Sequence, residues 1–200
     1  KSKTAFSLCY TLFMNPNEIL AHRLANQRLT GKLFNSTADA LKWFGAIQSQ
    51  DFPSAKWGLG QRVHGATDKI IEDEYNKGII LRTHVLRPTW HFIHSDDILW
   101  MLSLTSDRIK RIMSYYNKSL ELDDTLLKKT GIILKKLLST QEFQTRNELA
   151  KGLENEGIKA QGQRLGHIVG WAELDGIICS GPMHGKQFTY GLLSKRALNA

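Results

Sequence analysis

Apolar residues recur at helical spacing from residue 15 onward, switch to a two-residue period near residue 79, and return to helical spacing afterwards. Asn15-Pro16 sets a cap and a first-turn proline ahead of Ile19, Leu20, Leu24 and Leu29, and Gly31 stops that helix. Ser36 or Thr37 caps a second helix with Leu41, Phe44 and Ile47 on one face. A short helix is predicted over 54–62 and another over 67–76, the latter ending at Gly78. Residues 79–86 and 89–94 are rich in β-branched and aromatic side chains, and Arg87-Pro88 between them reads as the turn of a β-hairpin. Ser95 caps a helix through Ile98, Leu99 and Leu102, and a separate helical stretch covers 106–116.

The last third has sharper punctuation. Asp123 or Asp124 opens a helix bearing Leu126, Leu127, Ile133, Leu134, Leu137 and Leu138 on one broad face. Thr145-Arg146-Asn147-Glu148 is a capping box, and its helix stops at Gly157. A third helix runs from about Gln161 to Asp175, with Leu165, Ile168, Val169 and Ala172 as its buried stripe. Strands over 177–180 and 187–193 follow, joined by a glycine-containing loop. Three helices, a strand, a loop and a strand is the order of a winged helix. The expected fold is mainly α with small β-hairpins (α+β), arranged as tandem winged-helix (helix-turn-helix) modules. Residues 1–13 form a leader or arm, 14–122 the first module and 123–200 the second.

Charge narrows the function classes. Lys and Arg total 27 against 19 Asp and Glu, a net +8, which favours a polyanionic partner: nucleic acid first, an anionic membrane surface second. Cys9 and Cys179 lie too far apart in sequence to suggest a disulfide framework or a metal knuckle. Lys1, Ser2 and Lys3 precede an apolar run to Phe13, yet no small-residue cleavage site follows and the run is too short to span a bilayer. A native start near Met14 and a cytoplasmic location are expected.

The surfaces open to DNA can be named. Opposite the buried stripe of the third helix lie Gln163, Arg164, His167 and Trp171; Arg and Gln reach phosphates or base edges, and Trp171 either stacks on a base or packs against the other module. Between glycines, His184 and Lys186 occupy the wing, where glycine serves either close phosphate approach or simply the hairpin turn. Arg82 and Arg87 flank the first hairpin, to grip phosphates or to pair with acidic neighbours. His84, His91 and His94 crowd one region, but strand geometry splits the last two between faces and no carboxylate motif accompanies them. No metal site and no organic cofactor are expected.

Gln48-Ser49-Gln50-Asp51 is the segment that could carry chemistry. Pro53 biases Phe52 away from helical geometry. If the chain is already extended, Gln48 and Gln50 project to one side and Asp51 to the other; if still helical, the glutamines diverge. Carboxamides do not titrate near neutrality, but they orient water and offer carbonyl oxygens to a developing cation. That assistance suits a substrate whose leaving group is already activated, such as a cationic N7-alkylated purine. Standing alone, the same spacing also fits a polar helix end.

Several runs resemble the AlkZ-like winged-helix family. They are Gln48-Ser49-Gln50-Asp51 with Ala55-Lys56-Trp57-Gly58-Leu59, the hairpin run from Ile80 to Phe92, Gly162-Gln163-Arg164-Leu165, Ala172-Glu173-Leu174-Asp175-Gly176, Cys179-Ser180-Gly181 and the run from Gly185 to Tyr190. The likeness spans roughly Asn17 to Lys195. It implies tandem winged helices followed by a β-rich part about as long again, and monofunctional DNA glycosylase activity on bulky alkylpurines in double-stranded DNA. Gln48 and Gln50 match the family's catalytic Gln-x-Gln or Gln-x-Asp, with Asp51 adding charge stabilisation. Arg87-Pro88-Thr89-Trp90 departs from the Arg-Gly-Thr-Leu form of characterised members. The alternative is a non-catalytic transcription regulator, which two unlike modules in one chain disfavour, since regulators pair matched half-sites as dimers.

Overall fold

The computed structural model describes residues 15–200, so the expected leader and Cys9 lie outside the described residues. The chain divides into two compact units after Leu33. In the first, α1 (Pro16–Asn26) starts at Asn15, whose side chain and that of Glu18 cap each other's backbone N–H groups.

The second unit, Phe34–Ala200, holds everything else. Three helices come first: α2 (Thr37–Phe44), α3 (Phe52–Gly60) and α4 (Asp68–Lys77). Around them, β1 (Ala46–Gln48), β2 (Ile80–His84) and β3 (Trp90–His94) form an antiparallel sheet in the order β1-β3-β2. The period-two pattern in the hairpin serves two cores at once. Ile80 and Phe92 join a cluster with Leu41, Phe52, Leu59 and Tyr75, while Leu81 and Ile93 join another with Ile98, Met101 and Ile109. Both faces of this sheet are covered although its strands are not uniformly apolar: Arg82, Thr83, His84, His91 and His94 are buried beside the apolar residues.

Next comes a single long helix, α5 (Ile98–Ser119), after a 3-10 turn at Ser95–Asp97. Two helical stretches were expected here. The polar pair Thr105-Ser106 does not break the helix, because the apolar stripe of Ile98, Met101, Leu102, Ile109 and Met113 packs into one core on both sides of it, and the Thr105 hydroxyl bonds back to the Met101 carbonyl at 2.8 Å.

The last part comprises α6 (Asp124–Thr140), β4 (Gln144–Thr145), α7 (Arg146–Asn155), α8 (Gly162–Leu174), β5 (Ile178–Ser180), β6 (Thr189–Leu192) and the short α9 (Leu193–Arg196). Its sheet runs β4-β6-β5, antiparallel throughout. Leu127, Leu134, Leu149, Leu153, Ile168 and Leu192 meet in its core. The second strand ends at Leu192 rather than 193, since the chain turns there into α9. The expected content, helices with small antiparallel sheets, is what the chain forms. Among the described residues, no helix is long and apolar enough to cross a membrane.

Candidate active site and nucleic-acid interface

The two-glutamine segment owes its shape to Gly45. That residue ends α2 at φ 71°, ψ −54°, a left-handed conformation that L side chains avoid. The helix therefore stops three residues before Ile47, the expected end, and Ile47 lies on a strand. From there Ala46–Gln48 pair with β3, Gln48 opposite His91, and Ser49 N–H donates to the Trp90 carbonyl at 2.8 Å. Gln48 and Gln50 are exposed while Ser49 between them is wholly buried. Extended backbone makes that alternation.

Each amide is held differently. Gln48 Oε1 accepts from Arg87 Nη2 at 2.7 Å, and Gln50 Oε1 accepts the Trp90 backbone N–H at 3.4 Å. Asp51 serves the fold instead. Its carboxylate caps α3 by accepting the Ser54 N–H at 2.9 Å, and hydrogen bonds from the Ser54 side chain and backbone lower its pKa. Its charge is thereby committed to the helix terminus.

Arg82 is the beam beneath this segment. Only 7% of it is exposed, and its guanidinium lies between the rings of Trp90 and Phe188, 4.4 and 4.6 Å from their centroids. Nε donates to the Ser49 carbonyl at 3.0 Å and Nη2 to the Gln50 carbonyl at 3.3 Å. Burial lowers its pKa, opposed by the nearby Tyr75, Glu173 and Tyr190. Arg82 was expected to grip phosphate from the hairpin surface. The structure corrects this: its fork is turned inward, and its partners are backbone carbonyls, not the acidic neighbours that burial would suggest.

Two hollows flank Trp90. One, of about 490 Å³, is walled by Gln50, His84, Pro88 and Trp90 on one side and by α5 and α8 residues, including Tyr116, Gln163 and His167, on the other. The second, of about 310 Å³, is lined by Arg82, Trp90, Arg146, Asn147, Lys186 and Phe188. Lys186 is exposed at the tip of a tight turn where His184 and Gln187 exchange backbone hydrogen bonds and Gly185 takes φ 61°.

The face of α8 is less open than its sequence implied. Gln163 is exposed. Arg164 is half-buried and donates to the carbonyls of Leu120, Glu121 and Lys159, so it ties α8 to the loop before α6 instead of projecting outward. His167 Nδ1 pairs with Asn117 Oδ1 at 2.7 Å, and burial lowers its pKa, with the charge of His84 adding to the shift. Trp171 packs against two cores, with Lys110 Nζ 5.5 Å from its ring centroid.

A family model for AlkZ-like DNA glycosylases matches residues 41–198. The chain belongs to the AlkZ-like family. No curated protein matches it. Its fold is similar to that of Streptomyces sahachiroi DNA glycosylase AlkZ, with a TM-score of 0.76 at 18% identity, covering 90% of this chain and 49% of that one. The AlkZ-like chain therefore spans about half the length of that protein.

One buried group of the AlkZ-like chain was given no role from sequence. Glu173, wholly buried on α8, receives the His84 backbone N–H and the Trp90 indole N–H beneath the larger hollow. An acid four residues after Val169, beside the apolar stripe, was the available signal: buried carboxylates are rare unless paired. Among the described residues, no group of three or more His, Cys, Asp or Glu side chains is placed to hold a metal ion.

Proposed function

We propose that the chain is the DNA-engaging and catalytic portion of a monofunctional DNA glycosylase that hydrolyses the N-glycosidic bond of alkylated purines in double-stranded DNA. The observation that carries this reading is the extended segment that exposes Gln48 and Gln50 on either side of buried Ser49, anchored from below by Arg82 and opening through Gln50 onto a hollow large enough for part of a nucleotide. The family membership supports the reaction class.

In this reading Gln50 and Gln48 orient a water and present carbonyl oxygen toward the cationic sugar as the base departs. An N7-alkylated purine leaves as a neutral base, so no strong acid is required. Lys186 and Arg146, at the neighbouring hollow, and Arg87 on the hairpin supply positive charge for phosphates, and Gln163 faces the same duplex from α8. The proposed modules are 14–122 and 123–200, each read as a winged helix that offers the exposed turn between its strands, Arg87 in one and Lys186 in the other, to DNA.

The test is base release from a duplex carrying N7-methylguanine. Wild-type chain should release the base, and Gln48→Ala and Gln50→Ala should each slow release by about a hundredfold while leaving duplex binding intact. Salt-sensitive binding without any release would instead identify a DNA-binding regulator.

A further inference from the structure

The floor of the larger hollow holds an ionisable pair that the glutamines do not account for. Glu173 Oε2 accepts the His84 backbone N–H at 3.1 Å and also contacts the His84 ring at Nδ1; Oε1 accepts the Trp90 indole N–H at 3.4 Å. A carboxylate sunk this deep is strongly destabilising unless it is paired and hydrogen-bonded, and its hydrogen bonds lead to His84 and Trp90, which line the hollow. Carboxylate on Nδ1 fixes the imidazole tautomer and leaves Nε2 as the ring nitrogen that can serve a ligand.

The proposed hydrolysis has a role that the pair can fill. Water that attacks the sugar must lose a proton. Neither glutamine amide accepts one near neutrality, and Asp51 is occupied at the start of α3. Of the titratable side chains lining the hollow, Tyr116 is a weak base, and His167 has only the neutral Asn117 amide behind it. His84 alone has a carboxylate behind it to offset the charge of an imidazolium.

We propose that His84 is the general base of the reaction and that Glu173 is the positioning residue that orients it. The proposal rests on the glycosylase reading above. In the step, the water oxygen bonds to C1′ of the sugar, and one water proton passes to His84 Nε2. The C1′–N9 bond breaks, and its electron pair neutralises the positive charge on the departing N7-alkylpurine. The proton then leaves the imidazolium for solvent. Arg82, Cys179 and Tyr190 interact electrostatically with Glu173, and His91 and His167 with His84, so these are the charged and titratable groups that face the pair.

Single-turnover release of N7-methylguanine from a duplex, followed between about pH 5 and 8, tests the assignment. Wild-type release should fall on the acid side as the base protonates. His84→Gln should lower the plateau by roughly 10²- to 10⁴-fold and flatten the profile, with affinity for an abasic-site duplex unchanged. Glu173→Gln should give a smaller loss and move the acid limb to lower pH. His167→Gln should keep the limb. Because removing a buried partner can loosen the fold, His84→Ala is assayed with added imidazole, which should restore release. A His84→Gln chain that keeps wild-type rate and profile overturns the pair's role and leaves the glycosylase reading standing. If the wild-type chain releases no base, both are overturned.

Discussion

Arg87 holds Gln48 by its carbonyl end: guanidinium Nη2 donates to Oε1 at 2.7 Å, with both side chains exposed. The contact fixes the amide's orientation at the edge of the candidate site. It also places a cation beside a residue proposed to face a negatively charged substrate.

Arg87→Ala should therefore act on DNA more than on folding. An exposed contact of this kind contributes at most about 1 kcal/mol to stability. Titration against a duplex at several salt concentrations should show weaker binding and a salt slope reduced by about one. Lys186→Ala should behave the same way. Unchanged salt slopes in both variants would remove these residues from the phosphate-contacting surface.

Arg82→Met should do the opposite and act first on the fold. Ser49 and Gln50 would lose their donor, and the buried Ser49 carbonyl left unpaired costs about 1–3 kcal/mol, beside the lost packing between Trp90 and Phe188. Urea unfolding should show a loss of about 2–4 kcal/mol. Arg82→Lys keeps the charge but not the two-pronged fork, so it should recover only part of the loss.

Gly152 tests the packing of α6 on α7. A Cβ built there would collide with the end of the Leu137 side chain, which must turn aside to admit it. Gly152→Ala, normally favourable by about 1 kcal/mol in a helix interior, should therefore leave the thermal unfolding midpoint unraised. Combining it with Leu137→Ala, which vacates the space, should raise the midpoint above that of Leu137→Ala alone.

Stability should fall on mild acidification. Burial lowers the folded-state pKa of His91, and burial likewise lowers those of His94 and His167. Below the unfolded imidazole value the unfolded chain binds protons that the folded chain resists, so stability is complete above that value and is lost as pH falls through it. Urea midpoints should decrease from about pH 7.5 to 5.5 across the imidazole range. The drop should shrink in His91→Gln. A midpoint that does not move with pH would contradict the burial of these rings.

Cys179 should be chemically silent in the folded chain. Burial pushes its thiol up to about 12, so little thiolate is present at neutral pH. In a Cys9→Ser background, a thiol reagent should label Cys179 only as fast as the protein unfolds.

How much of the fold was legible in the sequence follows from the range over which each feature is decided. The cap at Asn15, the capping box Thr145–Glu148 and the helix stop at Gly78 each depend on residues within one turn of the chain, and they stand where the pattern placed them; the reciprocal Glu18 partner at Asn15 is seen in the structure. The hairpin from Ile80 to His94 was legible because β-branched and aromatic residues are enriched on both sides of the Arg87-Pro88 turn. In contrast, β1 has three residues and exists only because β3, more than 40 residues later, offers it a partner. α5 runs on through Thr105-Ser106 because its apolar stripe packs into one core on both sides of the pair, where the sequence suggested two stretches.

The site divides along the same line. That Gln48 and Gln50 would share a side followed from extended geometry, but whether the chain was extended depended on a glycine conformation and a distant strand. Arg82, Arg164 and Glu173 were beyond local reading: their partners lie at sequence separations of 32 and 33, up to 44, and 83 and 89 residues. By itself, the sequence determined most helix starts, the hairpin and the net positive charge, since capping, backbone hydrogen bonding and amphipathic spacing act within a few residues. Only the tertiary structure decided which charges turn inward, because the cost of burying a charge is set by neighbours that folding brings together.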